Sequence, residues 1–220
     1  MKRHAPPVLV AASALLLTTA CGGSDGKSTS EDDAKVAGAG ARSAVSASPA
    51  VSASAPAASD DRPKIELPAD ITHTFTPAET GDPVKDAVLK DNAELIRALD
   101  AAIVAQNPRL PALEFYTEGE GAVAAERWAQ AFVDAGWTVT GVVRYFDRQV
   151  SVSSQSTASL SYCGDESKGF SKVIKTGEVK KTPPSKDSYV VYGVQVRKNK
   201  AGVWELVKIT STRGADRCQP

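Results

Sequence analysis

Few residues in this 220-residue chain have the side chains that nucleophilic or metal-dependent catalysis requires. Of its two histidines, His4 lies in the N-terminal leader and only His73 lies in the part expected to fold. Hydrolysis by a serine or cysteine nucleophile commonly needs a histidine base, and many zinc sites are built on histidine. We therefore assign no catalytic residue, no metal and no cofactor, and we interpret His73 as a solvated residue of an extended lead-in, 64–75.

Two short motifs match catalytic or cofactor-binding patterns. Ser24 and Lys27 form a Ser-x-x-Lys pair, but the surrounding sequence is too rich in small and polar residues to hold a nucleophile in place. Residues 119–124 match the dinucleotide fingerprint G-x-G-x-x-A, although no strand–helix–strand unit surrounds them. We interpret Gly119 and Gly121 as glycines that allow a tight entry into a helix.

Several acidic residues lie near predicted helix and strand ends. Glu118, Glu120 and Glu126 lie at or near the start of a predicted helix, where a negative charge favours the helix dipole without any catalytic role. Asp165 and Glu166 follow a predicted strand and are most simply interpreted as a turn. The acidic residues therefore give no pattern that assigns a general acid or base.

The N-terminus has the pattern of an export signal. Two basic residues precede an apolar run, 8–17, which is too short to cross a membrane core that needs about 20 residues. The following Leu-Thr-Thr-Ala-Cys-Gly, 17–22, resembles the bacterial lipoprotein signal. That resemblance implies a signal peptide over 1–20 and a lipidated Cys21, with palmitate among its acyl groups. The alternative is an ordinary secretory signal, cut at a small-residue site, with an unrelated cysteine.

A linker of low complexity follows, over 21–63. From Cys21 to Arg62 the chain has 11 Ala, 9 Ser and 5 Gly and no aromatic residue, so it cannot bury enough apolar surface to fold. An alanine-rich helix is the alternative, but the Ser, Gly and Pro residues oppose it. We expect a disordered tether that holds the protein at the outer face of the cytoplasmic membrane, through the lipid on Cys21.

Two further cysteines remain if Cys21 takes a lipid. Outside the cytoplasm, Cys163 and Cys218 are expected to form a disulfide, which would stabilise the fold by about 4 kcal/mol on chain-entropy reasoning. A metal site is the alternative, but the sequence offers no further ligands for it.

The first half of the folded part is predicted to be helical. Asp82–Pro83 is a typical helix start, because Asp accepts hydrogen bonds from the first N–H groups and Pro fits the first turn. Apolar residues then recur every three to four positions until Asn107–Pro108 ends the helix. A short helical segment, 111–116, precedes a second helix near 120–135, with Gly136 as its C-cap.

The second half is predicted to form strands, because β-branched and aromatic residues become frequent. The predicted strands are 137–146, 149–153, 157–163, 170–174, 178–180, 189–198 and 203–212. The turn 199–202 between the last two gives the strongest hairpin signal. Helices followed by a run of antiparallel strands predict an α+β domain over 64–220, with its core at 82–212.

Charge is divided unequally between these halves, although the whole chain is neutral and gives no sign of nucleic-acid binding. Residues 82–147 have 6 basic and 11 acidic side chains, whereas 148–220 have 13 basic and 6 acidic. The halves could complement each other across the fold. Alternatively, the strand half, with six lysines in 168–186, presents a positive face to anionic lipid or cell-wall polymer, although lysines also protect exposed sheet edges.

The order of elements resembles the nuclear-transport-factor-2-like and ketosteroid-isomerase-like family. The residues that carry the resemblance are 115–119 between helices, 158–165 on a strand, and 194–198 with 202–207 in the last hairpin. With the signal, linker and cysteine pair, the chain is similar to an actinobacterial lipoprotein of that family. The resemblance implies a cone, in which a curved antiparallel sheet wraps a helix and leaves a pocket, and it allows a homodimer through the sheet's outer face.

Three functions are consistent with this sequence. The first, which we favour, is a non-catalytic module that binds a small ligand or an envelope partner, with Trp128, Phe132, Tyr145 and Tyr162 as candidate pocket residues; ordinary core packing is the alternative for these four. The second is an isomerase- or dehydratase-like enzyme that uses a buried carboxylate beside a tyrosine. The third is a structural accessory to wall-building enzymes. A carboxylate in the cone within hydrogen-bond reach of a tyrosine would favour the enzyme, and a fully packed interior would exclude it.

Overall fold

The computed structural model describes residues 62–220. The expected signal peptide, the lipid on Cys21 and the linker up to residue 61 lie outside these described residues. Within 62–220, no helix is both long and apolar enough to cross a membrane. The described part begins two residues before the predicted boundary at 64, and Arg62 already forms an ion pair with Asp91.

After one short strand, three helices precede the five remaining strands, as the α+β prediction requires. The elements are β1 (Ile71–Phe75), α1 (Pro83–Val104), α2 (Pro111–Glu114), α3 (Gly119–Ala135), β2 (Trp137–Ser154), β3 (Thr157–Val173), β4 (Val179–Lys180), β5 (Tyr189–Lys198) and β6 (Trp204–Arg213). Short 3₁₀ turns lie at Lys186–Ser188 and Asp216–Cys218.

The two long helices have the ends that the sequence predicts. The side chain of Asp82 accepts hydrogen bonds from the backbone N–H groups of Val84 and Lys85, which fixes the start of α1. Gly136 has a φ of 67°, a left-handed conformation that favours glycine, and it ends α3. The apolar stripe of α1 is buried against the sheet and against α3.

The strands form one curved sheet in the order β1-β2-β3-β5-β6, with β4 paired to β3. All pairs are antiparallel except β1, which runs parallel to β2 at the edge. The fold class is therefore confirmed, but the interpretation of 64–75 as a lead-in is incomplete. Its second half is a strand, because Ile71–Phe75 bonds to Gly141–Tyr145 far along the chain.

The strands β2 and β3 are longer than predicted. The separate strands 137–146 and 149–153 are one strand, which passes through an irregularity where Asp147 has a φ of 50°. The strands 157–163 and 170–174 also join, and the predicted turn at Asp165 and Glu166 is wrong, since both residues lie within β3. Asp165 pairs with Arg144 of β2 on one side and with Tyr189 of β5 on the other, which outweighs its low strand propensity. Glu166 follows it where the register between β2 and β3 shifts.

One core lies between the helices and the concave face of the sheet. Its largest fully buried side chains include Trp204, Tyr116 and Leu89. A disulfide joins Cys163 in the middle of β3 to Cys218, and both cysteines are buried. Gly121 opens α3 against β6 so closely that a β-carbon there would lie 2.2 Å from the carbonyl oxygen of Leu206. This contact agrees with the interpretation of that glycine as one that allows a tight helix entry.

Candidate functional site

A cavity of about 360 Å³ lies between the sheet and the helices α1 and α3. Most of its wall is aliphatic or aromatic, because the inward positions of the strands and the apolar stripe of α1 face each other across it. Ile96, Leu99, Val139, Val143 and Ile209 are among these wall residues. A space of this size inside an otherwise closely packed core is typical of small-molecule sites rather than of packing defects.

A histidine and an aspartate form a pair at one side of the cavity. The burial pattern of β1 alternates, and His73 shares the inward face with Ile71 and Phe75. Asp100 lies on α1, one turn beyond Ile96, and its Oδ2 is 2.8 Å from the Nε2 of His73. The side chains of His73 and Asp100 are 3% and 17% exposed.

The other ring nitrogen of His73 has no partner within the fold. Its Nδ1 atom is buried and has no hydrogen-bond partner among residues 62–220. An imidazole that is held by a carboxylate at one nitrogen and free at the other can accept a proton from, or donate one to, a bound molecule. The interpretation of His73 as a solvated residue is therefore wrong. The parallel pairing of β1 with β2 places it inside the fold.

A second polar group lies on the strands β3, β5 and β6. The hydroxyl of Tyr192 donates a hydrogen bond to Oε1 of Glu166 at 2.6 Å, and Nη2 of Arg213 lies 2.9 Å from Oε2 of the same carboxylate. All three residues line the cavity. Glu166 thus accepts a neutral donor and a charged donor at once, which fixes the direction in which the phenol points.

Three tyrosines stand in a row on neighbouring strands and connect these polar groups. The ring centroids of Tyr145 and Tyr162 are 5.9 Å apart, and those of Tyr162 and Tyr192 are 5.0 Å apart. Burial raises the pKa of Tyr162 to about 12 and raises the pKa of Tyr145 and Tyr192 well above the usual 10. The carboxylate of Glu166 adds to the effect on Tyr192. All three remain neutral phenols at physiological pH, and the one O–H of Tyr192 is donated to Glu166.

A buried arginine supports β2 from behind this site. Arg148 is 3% exposed, and its guanidinium donates to the carbonyl oxygens of Pro77 and Leu89 at 3.1 and 2.6 Å and to Oδ1 of Asn92 at 3.2 Å. Burial lowers its pKa to about 10. It does not line the cavity, and its contacts tie β2 to α1, so we assign it a structural role.

The four candidate pocket residues all lie on the cavity wall. Tyr145 and Tyr162 belong to the tyrosine row at the sheet. Trp128 and Phe132 lie one turn apart on α3, with ring centroids 6.4 Å apart, and Trp128 is 44% exposed. The structure brings the first pair close to His73, at 5.9 Å between the rings of His73 and Tyr145. The second pair lies where the cavity reaches the surface.

The sequence reasoning missed the polar members of the site. The inward position of His73 could have been predicted, because apolar and polar residues alternate over Ile71–Phe75 and His73 shares the positions of the apolar ones. Asp100 follows Ile96 by one helical turn along the buried stripe of α1, which is a weaker signal of the same kind. Glu166 and Arg213 have none, since their meeting depends on the register of strands far apart in sequence. Within 62–220 no cluster of three or more His, Cys, Asp or Glu residues could hold a metal ion.

Comparison with known proteins gives a fold-level likeness only. No family model and no curated protein matches the chain. Among the solved structures, a ketosteroid isomerase-like protein from Erwinia carotovora atroseptica is 14% identical, with a TM-score of 0.41 over 61% of this chain and 98% of that one. The intermembrane space region of the chloroplast protein ARC6 is 10% identical, with a TM-score of 0.37 over 61% and 99% of the two chains. Likeness at this level carries no argument about function.

Proposed function

We propose that the domain binds a small, mostly apolar molecule in the cavity between its sheet and its long helices. The observation that supports this most directly is the 360 Å³ of space within the core. A domain with only a structural role gains stability by filling such a space, since close packing is the ordinary state of protein interiors. The aliphatic wall favours a ligand with an apolar body.

The polar groups define where the oxygen or nitrogen atoms of that ligand would lie. His73 and Asp100 line one side of the cavity as one polar region, and Tyr192, Glu166 and Arg213 provide a second. A purely aliphatic ligand would cover these polar side chains without forming hydrogen bonds to them, which is unfavourable by about 1–3 kcal/mol for each group left without a partner. We therefore expect a ligand with at least one hydrogen-bonding group.

Native mass spectrometry of the protein, secreted from a bacterial host, tests the binding proposal. A reproducible extra mass of a small molecule is expected. In a second assay, the fluorescent probe 1-anilinonaphthalene-8-sulfonate should bind with a stoichiometry of one. Ala124→Trp, which fills the cavity, should weaken that binding at least tenfold, whereas Val123→Trp on the exposed side of the same helix should not. A bare mass together with probe binding that Ala124→Trp leaves unchanged would refute the proposal.

Proton-transfer catalysis is a second candidate function. The observation that favours it is the pair of His73 and Asp100 at 2.8 Å, with the second imidazole nitrogen unpartnered. Glu166 is a carboxylate within hydrogen-bond reach of Tyr192, which is the arrangement expected of an isomerase- or dehydratase-like enzyme. The interior is not fully packed, so that function is not excluded. His73 would act as the general base and Asp100 would position its ring.

A probe that needs only a base distinguishes catalysis from binding. 5-Nitrobenzisoxazole opens when a base removes its ring proton and the N–O bond breaks, and the product is a cyanophenolate. If His73 acts as a base, His73→Gln should lower the rate of this reaction by about 10²-fold or more. Asp100→Asn should lower kcat with a smaller effect on KM. A rate that is equal in the parent protein and in His73→Gln would leave binding as the function.

We also propose that the protein is held at the outer face of the cytoplasmic membrane by a lipid on Cys21. The support is the leader sequence and the disulfide between Cys163 and Cys218, which is the form expected outside the cytoplasm. Cys21→Ser should move the protein from the membrane fraction of a bacterial host to the medium or to the soluble extracytoplasmic fraction. Retention of the variant in the membrane would contradict lipid anchoring.

A further inference from the structure

The cavity reaches the surface beside an exposed group of apolar side chains. Trp128 lines the cavity and is 44% exposed, and Phe132 lies next to it on α3. Ile174, which is 48% exposed, follows β3, and its backbone N–H donates to the carbonyl oxygen of Gly136 at the end of α3. We call Trp128, Phe132 and Ile174 the apolar rim. Trp128 and Ile174 are exposed, and Phe132 is half-buried.

A group of lysines adjoins the apolar rim. Lys175 follows Ile174 directly, and Nζ of Lys180 lies 5.1 Å from the ring centre of Trp137, the first residue after α3 and its cap. Both lysines and Lys181 are exposed, and none of the three forms an ion pair with another described residue. We call these three residues the lysine flank. The segment 168–186 has six lysines against one acidic residue, Glu178, so the flank carries a strong positive charge.

An aromatic rim beside unpaired lysines matches the chemistry of a membrane surface. Tryptophan favours the boundary between headgroups and acyl chains, where its ring is in an apolar layer and its N–H meets water. Each lysine near an anionic leaflet strengthens association by about fivefold, since it contributes about 1 kcal/mol. A bilayer matches both features at once, since its phosphate groups meet the lysines and its acyl layer meets the exposed ring of Trp128 at the cavity wall.

We propose that the apolar rim and the lysine flank dock the domain on a bilayer that contains anionic phospholipid, with the mouth of the cavity facing the lipid. Trp128 and Ile174 enter the headgroup layer, and the lysines bind phosphate groups around them. The docking needs neither an occupied cavity nor a lipid on Cys21, so it can fail or succeed independently of the proposed function. It would give an apolar ligand a path between bilayer and cavity that avoids water.

Vesicle sedimentation tests the docking. The protein from residue 21 onwards, with Cys21→Ser to exclude an acyl chain, retains every contact of 62–220, because that part has its own core and disulfide. It should bind vesicles of phosphatidylcholine with phosphatidylglycerol, and salt should weaken the binding. Vesicles of phosphatidylcholine alone should bind at least tenfold more weakly. Equal binding to both kinds of vesicle, or binding to neither by a protein with a native circular dichroism spectrum, would overturn the proposal.

Matched variants locate the contact. Trp128→Ala should weaken the binding by at least fivefold, and Lys175→Glu with Lys180→Glu by at least tenfold. The controls are Val152→Ala and Lys200→Glu. Val152 lies near the end of β2 that is far from Trp137, and Lys200 lies in the turn between β5 and β6, so both variants should bind as the parent does. Loss of binding in these controls to the same degree would overturn the proposal.

Fluorescence separates bilayer contact from other kinds of association. Lipids brominated on the acyl chain should quench the tryptophan emission of the parent, and Trp128→Phe should remove most of that quenching. The cavity-filling Ala124→Trp should still sediment with the vesicles. Self-association of the protein through Trp128 with no quenching by lipid would show that a second copy covers the rim, and would overturn the proposal.

Discussion

Arg62 and Asp91 form an ion pair at the start of the domain, and the carboxylate of Asp91 is fully buried. The same carboxylate accepts a hydrogen bond from the backbone N–H of Trp204 at 2.8 Å, where the last long strand begins. Burial alone disfavours the charged form of Arg62, but its bonds to Asp91 and Tyr116 outweigh that effect, so its pKa is raised. One side chain thus connects the first described residue, the long helix and the last strand.

The first prediction concerns this pair. Arg62→Ala leaves the Asp91 carboxylate buried with only the Trp204 N–H as partner, so the free energy of unfolding should fall by about 3 kcal/mol. Lys64→Ala removes an ion pair that is largely exposed and should change it by less than about 1 kcal/mol. Denaturant unfolding measures both. A loss in Arg62→Ala no larger than in Lys64→Ala would show that the pair does not support the core.

The second prediction concerns pH and the tyrosine row. Tyr145, Tyr162 and Tyr192 have raised pKa values in the folded state, because burial disfavours their ionised form. Their contribution to stability is therefore fully present below about pH 10, where unfolded tyrosine ionises, and is lost as the pH rises towards about 12. For Tyr162 this loss is about 2–3 kcal/mol.

Ultraviolet titration of tyrosinate measures the effect directly. In denaturant all five tyrosines should ionise near pH 10, whereas in the folded protein the three tyrosines of the row should ionise only near or above pH 12, or on unfolding. The fully buried Tyr116 should also ionise late, because burial raises its pKa. Tyr162→Phe should reduce the late amplitude by about one tyrosine, given one phenol per residue. Full ionisation of the folded protein near pH 10 would contradict the burial of the row.

The third prediction concerns the contact between α3 and β6. Gly121→Ala would ordinarily stabilise a helix by about 1 kcal/mol. Here the added β-carbon would lie 2.2 Å from the carbonyl oxygen of Leu206, which belongs to the backbone and cannot move aside cheaply. We expect destabilisation by about 1–3 kcal/mol, measured by thermal unfolding. A rise in Tm would show that the helix start is not held against the strand.

The fourth prediction concerns the disulfide. Replacement of both Cys163 and Cys218 by Ala should lower the free energy of unfolding by about 2–5 kcal/mol, because the unfolded chain gains freedom that the crosslink removes. Mass spectrometry of the parent protein should show the loss of two hydrogens, and no free thiol should react at either position. Unchanged stability in the double variant would mean that the crosslink contributes nothing beyond the packing of the buried side chains.

The helices and the last hairpin were predictable because their signals are local. Asp82 caps α1 through N–H groups two and three residues away, and the turn 199–202 joins β5 to β6 as its composition indicates. The two cysteines could also be paired, since the argument needed only their number and compartment. Trp128, Phe132, Tyr145 and Tyr162 could be proposed as pocket residues because each is an aromatic residue on a predicted helix or strand.

The polar half of the site was not predictable, because long-range pairing creates it. His73 turns inward only when β1 adds to β2, and Glu166 reaches Tyr192 and Arg213 only when β3 continues as a strand through two acidic residues. Strand propensity disfavours aspartate, and to a lesser degree glutamate, so a single-sequence interpretation prefers a turn there. Pairing of Asp165 on both sides of a central strand, and the bonds of the Glu166 carboxylate to Tyr192 and Arg213, reverse that preference.

The parallel pairing of β1 has a consequence for the order of folding during synthesis. A chain emerges from the ribosome or the translocation channel from its N-terminus, so Asp70 and β1 appear long before their partners. The hydroxyl of Thr140, 70 residues later, donates to the carbonyl oxygen of Asp70 beside the first pair of β1 and β2. The histidine in β1 therefore stays exposed until β2 has emerged, and the cavity closes only when β6 has joined the sheet. The domain should therefore remain unfolded until nearly all of its chain has been synthesised.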